Sequence, residues 1–310
     1  METITIIGTG TMGHSIALSV ALAEIPVTVY GLDDQEIELA IDGIEQKATV
    51  LIENELLEKS ALQPLLQRIH FSKELQHATK NATIIIEAAP ENLELKQDLL
   101  CEIETYCATD TILASNSSSL QPTRMAKKLT HPERMLGTHF WNPAHLIPLV
   151  EIIRGEKTAD SYIERIQTFL ETIHKQSIVV EKEVVGFVGN RLQFALFREA
   201  QYLYESGVAS LEDIDKAVEL SIGRRLGVTG PFMTADLGGL DIFKAISDYT
   251  FPDLANHPSA LLSLNEKVEA NHLGEKTGEG YYEWTSSSSA AIKRDREAEL
   301  IRWLKKDLNQ

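Results

Sequence analysis

The stretch "ITIIGTGTMGHSIA", residues 4–17, sets an apolar, β-branched run against three spaced glycines and a helix-like continuation. Gly8, Gly10 and Gly13 fit the pattern G-x-G-x-x-G, which by itself marks no more than a turn. Here a strand pattern precedes it, a helix pattern follows, and a second strand pattern, "PVTVYG" (26–31), completes the unit. In that setting Gly8 permits the tight turn, Gly10 lets a pyrophosphate approach the backbone, and Gly13 lets helix and strand pack closely. Thr11 and Met12 belong to the same loop and join the three glycines as candidate cofactor contacts. The stretch predicts a dinucleotide-binding turn.

The acidic residue expected at the end of the second strand is displaced. Gly31 stands at that position, and Asp33 and Asp34 follow it. Asp33 is the candidate for the ribose 2′-hydroxyl, with a backbone group as the other possibility. No Arg, Lys or His occurs from 31 to 45, so a 2′-phosphate would meet Asp33, Asp34, Glu36 and Glu38 instead. NAD is expected rather than NADP.

Working outward, the first half alternates short apolar runs with segments of helical length. Strand candidates are 4–8, 26–31, 68–72, 82–88, 111–116, 134–139, 149–153 and 177–182. Runs buried on both faces and joined by helices imply a mostly parallel, doubly wound α/β sheet. After about residue 184 the texture becomes helical, with "GFVGNRLQFALFREAQYLYESG" (186–207) and "SLEDIDKAVELSIG" (210–223) each stopping at a glycine. "GYYEW" (280–284) is the one strand-like run there, and "SSSS" (286–289) reads as a linker into a last charged helix. The expected organisation is a nucleotide-binding domain over 1–184, an all-α domain over 185–285 and a helical extension over 286–310.

Composition narrows the class of partner. Of 310 residues, 43% are hydrophobic and 24% charged, and 29 basic against 46 acidic side chains give a net charge of -17. That balance argues against a nucleic-acid surface. Cys101 and Cys107 suggest neither a disulfide framework nor a metal pair, and no apolar run is long enough to cross a membrane. A small-molecule partner in a reducing, cytoplasmic setting is expected.

Ligands of such sheets bind beyond the carboxyl ends of the strands, where "EAAPEN", "SNSSSLQ" and "THFWNP" supply polar residues. His139 sits at a strand end, and Glu151 lies inside the apolar run "PLVEII", where a carboxylate needs a partner. A strand, a turn and a returning strand would set the two side by side, as a general base and its orienting carboxylate. His145, in the intervening turn, is a weaker rival with a surface-loop alternative. Ser118 is either a helix cap or a substrate contact, and Asn190 is a polar residue in an apolar helix that needs a partner. Asn116, which ends the run 111–116, and Asn142, just after the run 134–139, are further cofactor-side candidates on the same edge. Glu91 and Lys96 are either a first-turn acid and a solvated lysine or cofactor-side residues.

Taken together, "IIGTGTMGHSIA", "EAAPENLELKQDL", "ASNSSSLQ", "THFWNPAHLIPLVEII", "VGFVGNRLQFALFREA", "VASLEDIDKAV", "GPFMTADLGGLD" and "LGEKTGEGYYEW" resemble the L-3-hydroxyacyl-CoA dehydrogenase family over nearly the whole chain. The resemblance implies a Rossmann-like first domain, a helical second domain that forms a homodimer, and NAD as cofactor. It implies His139 as the base, Glu151 as its orienting partner, and Ser118 and Asn190 as hydrogen-bond donors to the substrate oxygen. It puts Asn142 near nicotinamide and substrate, and Glu91 and Lys96 near the cofactor. Gly31 departs from the family pattern. So do Arg224 and Arg225 in "SIGRRLGVTGPF" and the helix after 285, which look like the branch containing L-gulonate 3-dehydrogenase, carnitine dehydrogenase and a pyridine-carboxylate dehydrogenase. An arginine pair is a natural carboxylate clamp, and equally a solvated helix end. Oxidation of a 3-hydroxyacyl-CoA is the leading expectation, a free hydroxy acid the alternative, and a non-catalytic NAD-binding protein the third reading.

Overall fold

All eight strand-like runs of the sequence form strands of a single sheet in the computed structural model, which describes residues Glu2–Leu308. They are β1 (Ile4–Ile7), β2 (Val27–Tyr30), β3 (Ile69–Ser72), β4 (Ile84–Glu87), β5 (Ile112–Ser115), β6 (Met135–Phe140), β7 (Leu149–Arg154) and β8 (Gln176–Val180). Their order is β3-β2-β1-β4-β5-β6-β7-β8. The sheet is parallel from β3 to β6; β7 runs antiparallel to β6, and β8 pairs parallel to β7.

The two-residue period of the strands divides the core into two layers. Ile4, Ile6, Ile84, Ile86, Ile112 and Ala114 point to one face, where they meet Ile16, Ala17 and Val20 of the helix Thr11–Leu22. Ile7, Ile85 and Leu113 point to the other, against Leu100 and Ile103 of the helix Leu93–Tyr106. Both faces are therefore covered, which is why these strands read as continuous apolar runs. The order reverses between β1 and β4, and the loops at their carboxyl ends open there.

The chain forms two compact units, one of residues up to Asn190 together with those from Arg296, the other Arg191–Asp295. The second is helical, and "GYYEW" contributes only an isolated bridge between Glu279 and Glu283. Three helix limits differ from the sequence reading. The first long helix starts at Gly189. The next does not stop at Gly223, which keeps a right-handed helical backbone while the helix runs on to Leu226 through a wider turn at Val218–Ile222. The serine run is no linker. Thr285 Oγ1 accepts the Ser288 N–H, a cap that starts the helix Ser286–Leu308 at the first serine. Ile301 of that helix packs against Leu51 and Leu146 of the first unit, so its last turns extend the nucleotide-binding part. Among the described residues no helix is long and apolar enough to cross a membrane.

His145 is not in a surface loop. It is buried, and Ser15 Oγ, which accepts the His145 amide, faces its Nδ1 at 3.0 Å. Burial, followed by the charges of Lys47, Lys175 and His14, pushes its pKa down to about 3. Burial and Lys47 also lower that of His14, although its hydrogen bond to the Thr9 carbonyl works the other way. Each imidazole is thus neutral when folded and titrates near its ordinary value when unfolded. The native state binds fewer protons, so the His145 contribution is complete above about pH 6.5 and is lost as pH falls, by up to about 1.4 kcal/mol per pH unit, and His14 acts in the same direction. Chemical denaturation between about pH 6.5 and 5.5, above most carboxylate titration, should show a slope of this sign, and His145→Gln should reduce it by up to about 1.4 kcal/mol per pH unit. An unchanged slope in the variant would contradict the assignment.

Candidate active site

The loop after β1 starts the site. Gly8 has φ +113°, a conformation that suits glycine, and a Cβ there would lie 2.9 Å from the Ala88 carbonyl. A Cβ on Gly13 would come within 2.0 Å of the Gly8 oxygen, so both positions need the bare backbone. The helix Thr11–Leu22 begins at Gly10 with no side-chain cap, and space in front of Gly10 is open. Its first amides, at Thr11, Met12 and Gly13, are left for an outside acceptor. A pocket of about 690 Å³ continues from this loop between β2 and β4, walled by Tyr30, Leu39, Leu95 and Leu99. An uncapped helix start beside an apolar slot fits a dinucleotide, its pyrophosphate on the amides and its adenine in the slot.

Asp33 lies outside this pocket. Its carboxylate accepts the Glu36 N–H at 2.8 Å as the cap of the helix Asp34–Glu53, and the side chain is exposed. Lys96 is not a solvated lysine. It is buried, with Nζ 2.6 Å from Glu87 Oε1 and 2.9 Å from the Ala89 carbonyl. Glu87, at the end of β4, also accepts the Ala89 amide and the Ser115 hydroxyl, so it ties together the ends of β4 and β5 and the helix Leu93–Tyr106. Sequence reading passed over Glu87. Its signal is the one that exposed Glu151: a lone carboxylate at the end of an apolar run. Glu91 holds the serine loop, accepting from Ser117 Oγ, Ser119 Oγ and the Ser119 amide. Burial raises its pKa, but the two serines and Lys96 outweigh burial and bring it below the ordinary value.

The candidate reacting edge is built by β6 and β7. His139 and Glu151 are directly opposed in the antiparallel register, and their side chains meet with Nδ1 2.7 Å from Oε2. Glu151 has no exposed surface, and His139 is 4% exposed. The other carboxylate oxygen accepts the amides of Val188 and Gly189, at 2.9 and 3.0 Å, at the start of the helix Gly189–Glu205. Burial alone would raise the Glu151 pKa. The bonds from His139 and the two amides, with the attraction of a charged His139, outweigh it and hold the group below the ordinary carboxylate value. Glu151 is therefore ionised at neutral pH and accepts from Nδ1–H, which leaves the Nε2 lone pair of a neutral His139 available. Trp141 and Phe187 flank the imidazole, with ring centroids at 5.4 and 5.7 Å.

The remaining candidates divide. Asn190 Nδ2 lies 3.4 Å from the Ser118 carbonyl, which brings these two residues together, and Ser118 and Asn142 are exposed. Asn116 is buried, its Oδ1 accepting the Phe140 amide at 2.9 Å, so it braces β6 next to His139. Arg224 and Arg225 belong to the second unit, on the short helix Gly223–Leu226, and both are exposed.

Two family models match most of the chain: the NAD binding domain of 3-hydroxyacyl-CoA dehydrogenase matches residues 3–184, and the C-terminal domain of that family matches 186–284. The chain is 36% identical to 5-formyl-3-hydroxy-2-methylpyridine 4-carboxylate 5-dehydrogenase of Mesorhizobium japonicum over 97% of its own length and 96% of that protein. A crystal structure of an enzyme of this name, described as an NAD+-dependent dismutase, superposes with a TM-score of 0.91 at 35% identity, covering 98% of this chain and 99% of the other. A solved (S)-3-hydroxybutyryl-CoA dehydrogenase from Ralstonia eutropha gives a TM-score of 0.77 at 32% identity, covering 92% of this chain and 100% of the other. With the glycine loop, the open helix start and the His–Glu edge in place, the chain belongs to the 3-hydroxyacyl-CoA dehydrogenase family of NAD-dependent oxidoreductases.

Proposed function

We propose that the chain oxidises a small free hydroxy carboxylate at the His139–Glu151 pair, rather than a CoA thioester. The observation that carries the chemistry is the buried pair itself, in which an ionised Glu151 fixes the imidazole with its free nitrogen outward. When bound, NAD supplies the hydride acceptor. His139 Nε2 takes the hydroxyl proton, and the Glu151 carboxylate stabilises the imidazolium that results. The Ser118 hydroxyl and the Asn190 amide hydrogen-bond the substrate oxygen, and Asn142 borders the reacting carbon. Gly8, Gly10, Thr11, Met12 and Gly13 hold the pyrophosphate, while Asn116, Glu91 and Lys96 serve the cofactor by bracing the strand ends.

The sequence alone puts the thioester first. The likeness to a pyridine-carboxylate enzyme across 97% of the chain, last helix included, supports a free carboxylate instead. The exposed pair Arg224 and Arg225 has the chemistry of a carboxylate clamp. Among the described residues neither has an ion-pair partner of its own, and a guanidinium grips a carboxylate through two parallel hydrogen bonds. The test follows NADH formation with L-carnitine, L-gulonate and L-3-hydroxybutyryl-CoA, and product formation with the aldehyde 5-formyl-3-hydroxy-2-methylpyridine 4-carboxylate, whose hydrate carries the hydroxyl that His139 deprotonates and which a dismutase turns over without net NADH. A free acid should turn over. His139→Ala and Glu151→Gln should each lower kcat by about 10²–10⁴-fold, and Arg224→Ala or Arg225→Ala should chiefly raise KM. Turnover of the thioester alone would overturn the carboxylate reading, and NADH binding without any turnover would make the chain a non-catalytic relative.

We also propose a homodimer formed through the helical part, 185–285. Phe232, Leu237 and Tyr249, on the helices Pro231–Gly238 and Leu240–Thr250, are 90%, 76% and 88% exposed in the single chain. Apolar surface on that scale calls for a covering partner. Light scattering should give twice the chain mass, and Phe232→Glu with Leu237→Glu should give the monomer. A wild-type monomer at micromolar concentration would contradict it.

A further inference from the structure

The ribose of the adenosine half is left without its usual partner, because the strand-end position is Gly31 and the nearby Asp33 is spent on capping a helix. A side chain at 31 has no room: a Cβ there would lie 2.7 Å from Thr9 Cγ2 and 3.0 Å from Ile37 Cγ1. Another carboxylate comes back over the same spot. Glu36, in the first turn of the helix Asp34–Glu53, lines the pocket together with Gly8, Thr9 and Gly31. Its Oε2 accepts the Leu32 amide at 3.1 Å and the Thr9 hydroxyl at 3.2 Å, which fixes the group against the glycine loop. This differs from a capping box in that the returning carboxylate takes the amide before the cap residue, and it turns Glu36 to face the pocket. Oε1 accepts no hydrogen bond among the described residues. The pocket lining contains no Lys, Arg or His, and Glu102 is its other charged member.

We propose that Glu36 is the residue that binds the adenosine ribose and selects NAD over NADP. Its Oε1 accepts from the 2′-hydroxyl, replacing a strand-end aspartate that Thr9 and Ile37 leave no room for at position 31. A 2′-phosphate placed there would face the fixed negative charge of Glu36 with no basic residue to neutralise it. Thr9 is a positioning residue for this carboxylate, acting through its hydroxyl.

The experiment measures dissociation constants by titration calorimetry for NADH, NADPH and the 2′-deoxy analogue of NADH, using wild type, Glu36→Gln, Glu36→Ala and Asp33→Asn. Wild type should bind NADH at least tenfold more tightly than either analogue. Glu36→Ala should weaken NADH at least tenfold and bind NADH and its 2′-deoxy analogue equally, because the partner of the 2′-hydroxyl is gone, while Glu36→Gln, which keeps an acceptor but loses the charge, should chiefly lose the discrimination against NADPH. Asp33→Asn should keep the wild-type preference. The equality of the two ligands separates direct contact from a loosened helix start, which would weaken both in parallel and keep their ratio. Retention of the wild-type ratios in both Glu36 variants, or their loss in Asp33→Asn, would overturn the proposal.

Discussion

A carboxylate buried inside a β-strand is tolerable only if it is answered on every side, and the proposed reacting edge is organised around that requirement. Glu151 is answered by three donors drawn from two elements: the imidazole of His139 across the β6/β7 register, and two amides at the start of the helix Gly189–Glu205. The antiparallel return of β7 is thus more than a topological detail. A parallel strand would need a long crossover, whereas this turn delivers residue 151 opposite residue 139 within twelve residues of chain. The same contacts that satisfy the carboxylate fix where the imidazole proton resides.

The nucleotide end follows a similar logic with neutral groups. Backbone amides at the open helix start present partial positive charge, and the glycines keep side chains out of the way. Glu87 and Lys96 neutralise one another below the loop after β4 and set its course. Charge is therefore paired beneath the site, and the groups that face outward are amides and acceptors. An overall net charge of -17 does not prevent binding of an anionic cofactor, since the local donors are dipoles rather than surface lysines.

Much of this was legible in sequence because the controlling signals are local. Strand period, glycine spacing and a lone acid in an apolar run each report a physical constraint within a few residues. The eight strands, the glycine loop and the His139–Glu151 edge came from such signals. What was not legible depends on side-chain direction. Asp33 and Glu36 are three residues apart on one helix start, and only the fold shows that the first caps the helix while the second turns to the pocket. Lys96 and His145 looked like surface residues because burial of a polar group depends on partners remote in sequence, such as Glu87 for the one and Ser15 for the other. The serine run looked like a linker because composition suggests flexibility, but a single threonine cap decides that it begins a helix.

The most direct test of the account is the protonation state of the His139 imidazole, read by nitrogen-15 NMR of histidine-labelled protein at neutral pH, with His139→Gln to assign the signals. A hydrogen-bonded Nδ1–H shifted strongly downfield, paired with an unprotonated Nε2, is the result required by a fixed, ionised Glu151. An Nε2–H tautomer, or rapid exchange between the two, would contradict it, because the imidazole would then present a donor rather than a base to the substrate hydroxyl.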